Sequence, residues 1–514
     1  FAELGRHDLA IEHLKKAIFY NSNLDDVHIS LATSLSKAGQ FLSAVACLKE
    51  ALLLQPASPD MIGFLKDRRS RICDWDLLAD ETKNIRHERI GAKLPFAMLS
   101  IEDNPRHQLS RSQFYAEDVV KKSSATPGLA ALKDNFSKAK AGERIKIGYF
   151  SSDFRDHPVL VLLMGMLREH DRSKFELYGY SSGRGGEGPM RDEAKGYFDV
   201  FTDIKDMSDA KVAELAREHQ LDIAINLGGY TYQSRSNPFA MRMAPIQVNY
   251  LGYPSTMGAD FMDYIIADET VIPTTHEQFY SEKVLRLPGS YLPSDDQRPV
   301  AKTNTTRADF GLPENGFVFC SFNASYKISP AEFDIWMRLL LQVEGSVLWL
   351  SYMNEWAVEN LKQEAEKRGV SSERIIFATR LEENSEHLAR HKHADLFLDT
   401  FNYNAQTTAS DALWMGLPVV TKQGEQFAAR VASSLLNALD MNELVTVSEQ
   451  EYEKRVLELA TDPEKLNAVR KKLANNVKSK PLFNTKSYTQ NFENVLQEAL
   501  ENQIKCSTAK ATLS

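Results

Sequence analysis

The chain has 514 residues, enough for about three domains. It is 43% hydrophobic and 25% charged, the balance of a globular protein with sizeable cores. Its net charge of -9, with no Lys/Arg block, excludes a nucleic-acid binder built on clustered cations.

The chain opens at Phe1 inside a periodic pattern and reads as a piece of a longer protein, so a targeting signal is out of view. Gly5 and Gly39, Ala10 and Ala44, and Ala17 and Ala51 are each 34 residues apart. Small residues in that register let paired helices pack closely, and the period is the tetratricopeptide signature. Residues 1–60 are therefore expected to be a partial repeat arm, an all-α segment of the kind that binds extended peptides. An ordinary helical hairpin is the plainer alternative. Residues 61–143 are mixed and polar, broken by Pro95, Pro105 and Pro127, and predict a partly helical linker with a helix beginning at Arg71–Leu77.

Strands and helices alternate from Arg144 onward. Ile145–Phe150, Phe175–Tyr180, Leu221–Leu227, Ile246–Leu251 and Tyr264–Ala267 read as buried strands, with a helix over Asp209–His219. Val159–Leu167, the longest apolar run, is too short for a bilayer and predicts a buried helix, so no membrane span is expected. A second series holds Phe317–Phe322, Val347–Tyr352, Ile375–Ala378, Leu396–Leu398 and Pro418–Thr421, with a helix at Ala357–Arg368. The Pro-, Asp- and Thr-rich segment 289–315 suits a domain connection. The fold class is thus α/β: two Rossmann-like lobes at 144–300 and 301–500, and a tail at 501–514. Ligands in such sheets bind beyond the carboxyl ends of the strands.

Several motifs carry less than they suggest. Gly183–Gly188 matches G-x-G-x-x-G and follows a predicted strand, but the fingerprint should open a helix after the first strand of its unit, and Pro189 and its polar neighbours do not promise one, so a mobile glycine loop is expected. His387, His391 and His393 crowd one helix without completing a ligand set, and Asp74-Trp75-Asp76 lies off any strand end, so no metal site is expected. Cys47, Cys73, Cys320 and Cys506 form no C-x-x-C pair, which suits a reducing, cytoplasmic setting.

Three loops that follow predicted strands carry chemistry. Ser151–Pro158 puts His157 at a helix entrance, where it can act as a base, bond a substrate or simply cap. Asn323–Ile328 offers Lys327 to a diphosphate and its developing charge, unless it is one more exposed lysine. In Asp399–Trp414, Thr407 and Thr408 open a helix whose free N–H groups form an anion site. Asp411 lies one turn further on, placed to accept from a ribose.

These segments resemble the O-linked N-acetylglucosamine transferase family, SPINDLY-type bacterial members included. The matching strings are Ile147–Phe154 with His157-Pro158, Ala244–Pro254, Met262–Ile266, Ser346–Leu350, Arg374–Phe377 and Pro481–Lys486. The resemblance implies a GT-B pair of lobes and inverting, metal-free transfer of N-acetylglucosamine from UDP to Ser/Thr hydroxyls. A protein acceptor would lie along the repeat arm. It implies His157 as base near the acceptor and Lys327 on the diphosphate. His387 and Arg390 would line the uridine pocket. Thr407 and Thr408 would hold phosphate, Asp411 the ribose, and Leu251-Gly252 would lie against the sugar, with Asn323 in the same donor site. Three positions depart from the family pattern: Gln406 replaces a His, Ala324 a Gln and Asn384 a Lys. They leave open another donor such as GDP-fucose or a UDP-hexose, an Asn acceptor, or a degenerate peptide-binding scaffold.

Overall fold

The computed structural model describes residues 6–22, 24–75, 89–124 and 143–513, from 504 onward as backbone only. Four helices build the arm: α1 (His7–Tyr20), α2 (Asp25–Lys37), α3 (Phe41–Leu54) and α4 (Pro59–Arg71). Ala10, Ala44 and Ala51 are buried where helices meet, whereas Ala17 is only half-buried. Gly39 makes the α2–α3 turn at φ 77°, and its repeat mate Gly5 lies outside the described residues. Short connections make neighbouring helices antiparallel. Ser58 caps α4 by accepting from Met61 N–H, and Pro59 takes its first position. An arm ending at residue 60 would therefore cut α4, which packs on α3. The helix expected to begin at Arg71 instead ends there: Cys73 sits at φ 51°, and Asp74 receives both arms of the Arg69 fork at 2.9 and 2.8 Å. Asp76 and Leu77 lie outside the described residues. Two further helices, α5 (Pro95–Met98) and α6 (Pro105–Ser124), lead to the first lobe.

That lobe is a parallel sheet in the order β3-β2-β1-β4-β5-β6-β7. Its strands are β1 (Ile145–Ser151), β2 (Phe175–Ser181), β3 (Val200–Asp203), β4 (Ile223–Asn226), β5 (Ile246–Asn249), β6 (Tyr264–Ala267) and β7 (Lys283–Arg286). Helices α7 (Pro158–Glu169), α8 (Pro189–Lys195), α9 (Asp209–Glu218) and α10 (Asn237–Ala240) fall between them. The second sheet runs β10-β9-β8-β11-β12-β13. It holds β8 (Val318–Ser321), β9 (Val347–Ser351), β10 (Ile375–Ala378), β11 (Leu396–Leu398), β12 (Val419–Lys422) and β13 (Val445–Thr446). Its helices are α11 (Pro330–Gln342), α12 (Glu355–Lys367), α13 (Asn384–Ala389), α14 (Thr407–Trp414), α15 (Val431–Ala438), α16 (Glu449–Thr461) and α17 (Pro463–Ser479). The strands absent from the sequence reading, β3, β7 and β13, all lie at sheet edges. They are largely half-buried and so lack the apolar run that marks central parallel strands.

The last helix, α18 (Thr485–Leu513), crosses back onto the first lobe. Phe492 and Leu496 enter the core with Tyr250, and Tyr250 and Tyr488 share a hydrogen bond of 2.5 Å. Glu493 bonds the ring of His170 at 2.9 Å. A second lobe of 301–500 and a separate tail thus divide one helix that belongs to the opposite lobe. The glycine run also differs from expectation, since Gly188 leads directly into α8 with Pro189 at its first position. It follows β2 rather than β1, and a Cβ at Gly183 would lie 2.1 Å from the Ser152 carbonyl oxygen, so glycine serves close packing of two loops. No helix among the described residues is long and apolar enough to cross a membrane.

Candidate active site

Parallel strands leave their carboxyl ends on one side of each sheet, and the three chemistry-bearing loops start there. In the second lobe, Asn323 follows β8 and is buried. Its Nδ2 donates to Thr400 Oγ1 at 2.9 Å and to Asp399 Oδ1 at 3.3 Å, while its Oδ1 accepts from Thr408 Oγ1 at 2.7 Å. One amide therefore ties the β8 loop, the end of β11 and the first turn of α14. Asp399 is wholly buried, receives Thr421 Oγ1 at 2.7 Å and Ala405 N–H at 2.6 Å, and is pushed up to about 6 by burial.

Lys327 closes this loop. Its Nζ donates to Asn404 O at 3.1 Å and lies 3.8 Å from the Tyr403 ring centroid. Burial pulls its pKa down to about 8, against the attraction of Asp399. Thr407 and Thr408 are the first two residues of α14, and the half-buried Gln406 precedes them with no hydrogen-bond partner for its Nε2. A cation beside a helix N-terminus, at two strand ends, is suited to a diphosphate.

Asn384 starts α13, and His387 lies one turn on. Burial holds the His387 ring neutral, down to about 2, with His391 and Arg390 adding to the effect. Its Nε2 is 3.7 Å from Asp411 Oδ2. Arg390 donates to Thr379 O at 2.8 Å and stacks 4.5 Å from the Phe322 ring. The three histidines do not converge: His391 bonds backbone carbonyls within its own helix, and His393 bonds Thr305 at 3.0 Å. Asp411 is not a free acceptor, because its Oδ1 receives Arg298 Nη1 at 2.6 Å. Arg298 lies in the Pro- and Asp-rich connector, and nothing in its local sequence marked it as part of the site.

In the first lobe, His157 is the N-cap of α7, its Nδ1 accepting from Val159 N–H at 3.3 Å. The neutral ring then carries its proton on Nε2, which faces Asp153 Oδ1 at 3.7 Å. Nδ1 is thus engaged by the cap, and Nε2 is the ring nitrogen beside Asp153. Burial lowers the His157 pKa, with Asp153 opposing. Leu251 follows β5 at φ 75°, and a Cβ on Gly252 would lie 2.3 Å from Leu227 O. Phe96 of α5 touches the rings of Tyr253 and Tyr403, centroids 6.4 and 6.0 Å away, so the two sets of strand ends meet around one side chain.

Two parallel-sheet lobes whose strand ends meet in this way have the GT-B architecture. Residues 125–302 and 292–492 match the model of glycosyl transferase family 41, and the chain belongs to that family. It is 36% identical over 357 residues to a probable UDP-N-acetylglucosamine–peptide N-acetylglucosaminyltransferase, SEC, of Arabidopsis thaliana, covering 68% of this chain and 36% of that protein. Against the enzyme described as SPINDLY in the same organism the identity is 31% over 372 residues, covering 70% and 40%. Among solved structures, a mutant O-GlcNAc transferase of Thermobaculum terrenum aligns with a TM-score of 0.77 and 25% identity over 99% of both chains. The chain spans about two fifths of the length of the curated relatives it matches.

Proposed function

We propose that this chain transfers N-acetylglucosamine from UDP-N-acetylglucosamine to Ser or Thr hydroxyls of proteins, with inversion and without a metal. The observation that carries the reading is the junction of Lys327, Asn323 and the Thr407-Thr408 start of α14. There the donor's two phosphates would meet a cation, hydroxyls and free helix N–H groups. The hydroxyl oxygen bonds to the anomeric carbon as the carbon–phosphate oxygen bond breaks on the opposite face. UDP leaves with the electron pair, and the hydroxyl proton passes to water or a phosphate oxygen. Lys327 and the helix start stabilise the charge that gathers on the leaving group. His157, with its Nε2 proton, orients the acceptor, and Leu251-Gly252 packs against the sugar.

A cavity of about 650 Å³ between the arm and the first lobe supports a polypeptide acceptor. Asp26 and Phe64 line it from the arm, Tyr115 from α6, and Gly229–Tyr230 from the loop after β4. A second reading, another nucleotide sugar, draws on Gln406 and Asn384, which bring no charge where the family resemblance implies a His and a Lys.

The test is turnover with UDP-N-acetylglucosamine, UDP-hexoses and GDP-fucose on a peptide mixture, with and without EDTA. The expected result is UDP release that EDTA does not reduce. UDP should also raise the melting temperature where GDP does not, since a ligand at 100 times its Kd adds about 2.7 kcal/mol. A larger shift with GDP selects the fucose donor, and loss of turnover restored by manganese ends the metal-free reading.

A further inference from the structure

The connector between the lobes does more than join them. Ser294–Arg298 threads between α7, α14 and the start of α18. Gly165 on α7 admits it: a Cβ there would lie 2.8 Å from Thr485 Cγ2 and 2.9 Å from Asp295 Oδ1. Arg168, in the last turn of α7, grips Asp295 at 2.8 and 3.3 Å. Ser294 and Ser410 hydroxyls meet at 3.2 Å.

Arg298 stands at the end of this thread. It is 7% exposed, and its guanidinium lies 5.4 Å from the Trp414 ring and 5.9 Å from that of Phe483. Nε donates to Asp295 O at 3.3 Å, Nη2 to Ser410 Oγ at 3.4 Å and Nη1 to Asp411 Oδ1 at 2.6 Å. Asp411 is itself only 3% exposed. A buried carboxylate without a cation would tend to neutralise. Here one oxygen is taken by Arg298, and the other, Oδ2, is left toward His387 Nε2.

We propose that Arg298 is a positioning residue of the nucleotide pocket, fixing Asp411 so that Oδ2 alone meets the nucleoside's ribose hydroxyls. The proposal rests on the reading of Asp411 as part of a UDP site. It makes the interlobe connector a working part of donor binding and couples that pocket to α7, the helix capped by His157. The other groups facing Asp411 are the neutral His387 ring and the Arg390 guanidinium, both on the helical segment 384–393.

A double-mutant cycle on the full chain tests it, with UDP as the probe. Arg298→Met and Asp411→Asn, singly and together, are titrated with UDP by calorimetry and checked by thermal melt. Arg298→Met is expected to weaken UDP binding about tenfold or more, the scale of a hydrogen bond to a charged group. In the Asp411→Asn background the same change should add little, because Arg298 acts through Asp411. In steady-state turnover the donor KM should rise while kcat at saturating donor stays near wild type, since the ribose is remote from the breaking bond. If Arg298→Met does not fold alone, the cycle with Arg298→Lys decides, because lysine keeps the charge and loses the fork. Equal weakening by the Arg298 change in both backgrounds, or none in either, overturns the proposal. Wild-type UDP affinity in Asp411→Asn overturns instead the nucleotide pocket on which it rests.

Discussion

The two sets of strand ends that meet around Phe96 are built by different means. In the first lobe the shape is held by main chain: Leu251 at φ 75°, Gly229 at φ 52°, and Gly252 pressed against the Leu227 carbonyl. In the second it is held by side chains, with Asn323, Asp399, Thr400, Thr408 and Thr421 in one hydrogen-bonded web around Lys327. The difference fits a division of labour under the proposed transfer reaction. A rigid backbone wall suits a sugar and an acceptor that must be excluded from wrong positions. A web of polar side chains suits charge that has to be bound and then stabilised as it grows.

Lys327→Ala is the strongest way to break the second side. Removing one stabiliser of developing charge typically costs on the order of 10²–10³ in kcat. The same change also removes the bond to Asn404 O and the packing on Tyr403, so some loss of melting temperature is expected beside it and must be separated from the loss in kcat. The check is kcat at saturating donor beside a thermal melt. Near-wild-type turnover would remove the lysine from the leaving group and move the site.

On the first side, Gly252→Ala should do the reverse. Its Cβ would stand 2.3 Å from a backbone oxygen, which cannot swing away as a side-chain end could. The strand-end backbone must shift, at about 1–3 kcal/mol of stability. If the nucleotide binds the other lobe as proposed, UDP affinity should stay as in the wild type, while the KM for the sugar donor rises. Denaturant unfolding and a UDP titration read the two quantities. A weakened UDP affinity of similar size would mean that the two sides are not separable.

This division also sorts what the sequence made legible. Central strands such as Ile223–Asn226 and Val347–Ser351 are apolar up to their last residue, because helices cover both faces of a parallel sheet, and that run survives without context. The places of the candidate residues were legible too: Lys327 and His157 stand on loops, and Thr407 and Thr408 at a helix start, that follow readable strands. Arg298 was hidden because its partner Asp411 is distant in sequence and its own neighbourhood looks like a linker. Edge strand β7, Lys283–Arg286, was hidden because it buries little. The return of α18 to the first lobe was hidden for a third reason: amphipathic spacing marks a buried face but not the lobe that covers it.

The smallest effect concerns pH and sharpens the contrast on the Lys327 side. Burial draws the pKa of this ammonium from an ordinary lysine value to about 8 in the folded, ligand-free chain. Between that value and the ordinary one the unfolded chain binds more protons, so stability contributed at this position rises with pH across the window. Below about 8 both states hold the charge, and the burial penalty is present in full. Donor binding should run the other way if, as proposed, the diphosphate is held by the ammonium. UDP affinity is therefore expected to be flat below the lysine's pKa and to fall by about tenfold per unit above it. Asp399, pushed up to about 6, has finished titrating before that range and adds no slope there. Calorimetric titration of UDP from neutral to alkaline pH measures the profile, and Lys327→Arg should flatten it, since a guanidinium stays protonated throughout. An equal slope in the arginine variant would assign the titration to another group, and a wild-type profile without slope would place Lys327 away from the phosphates.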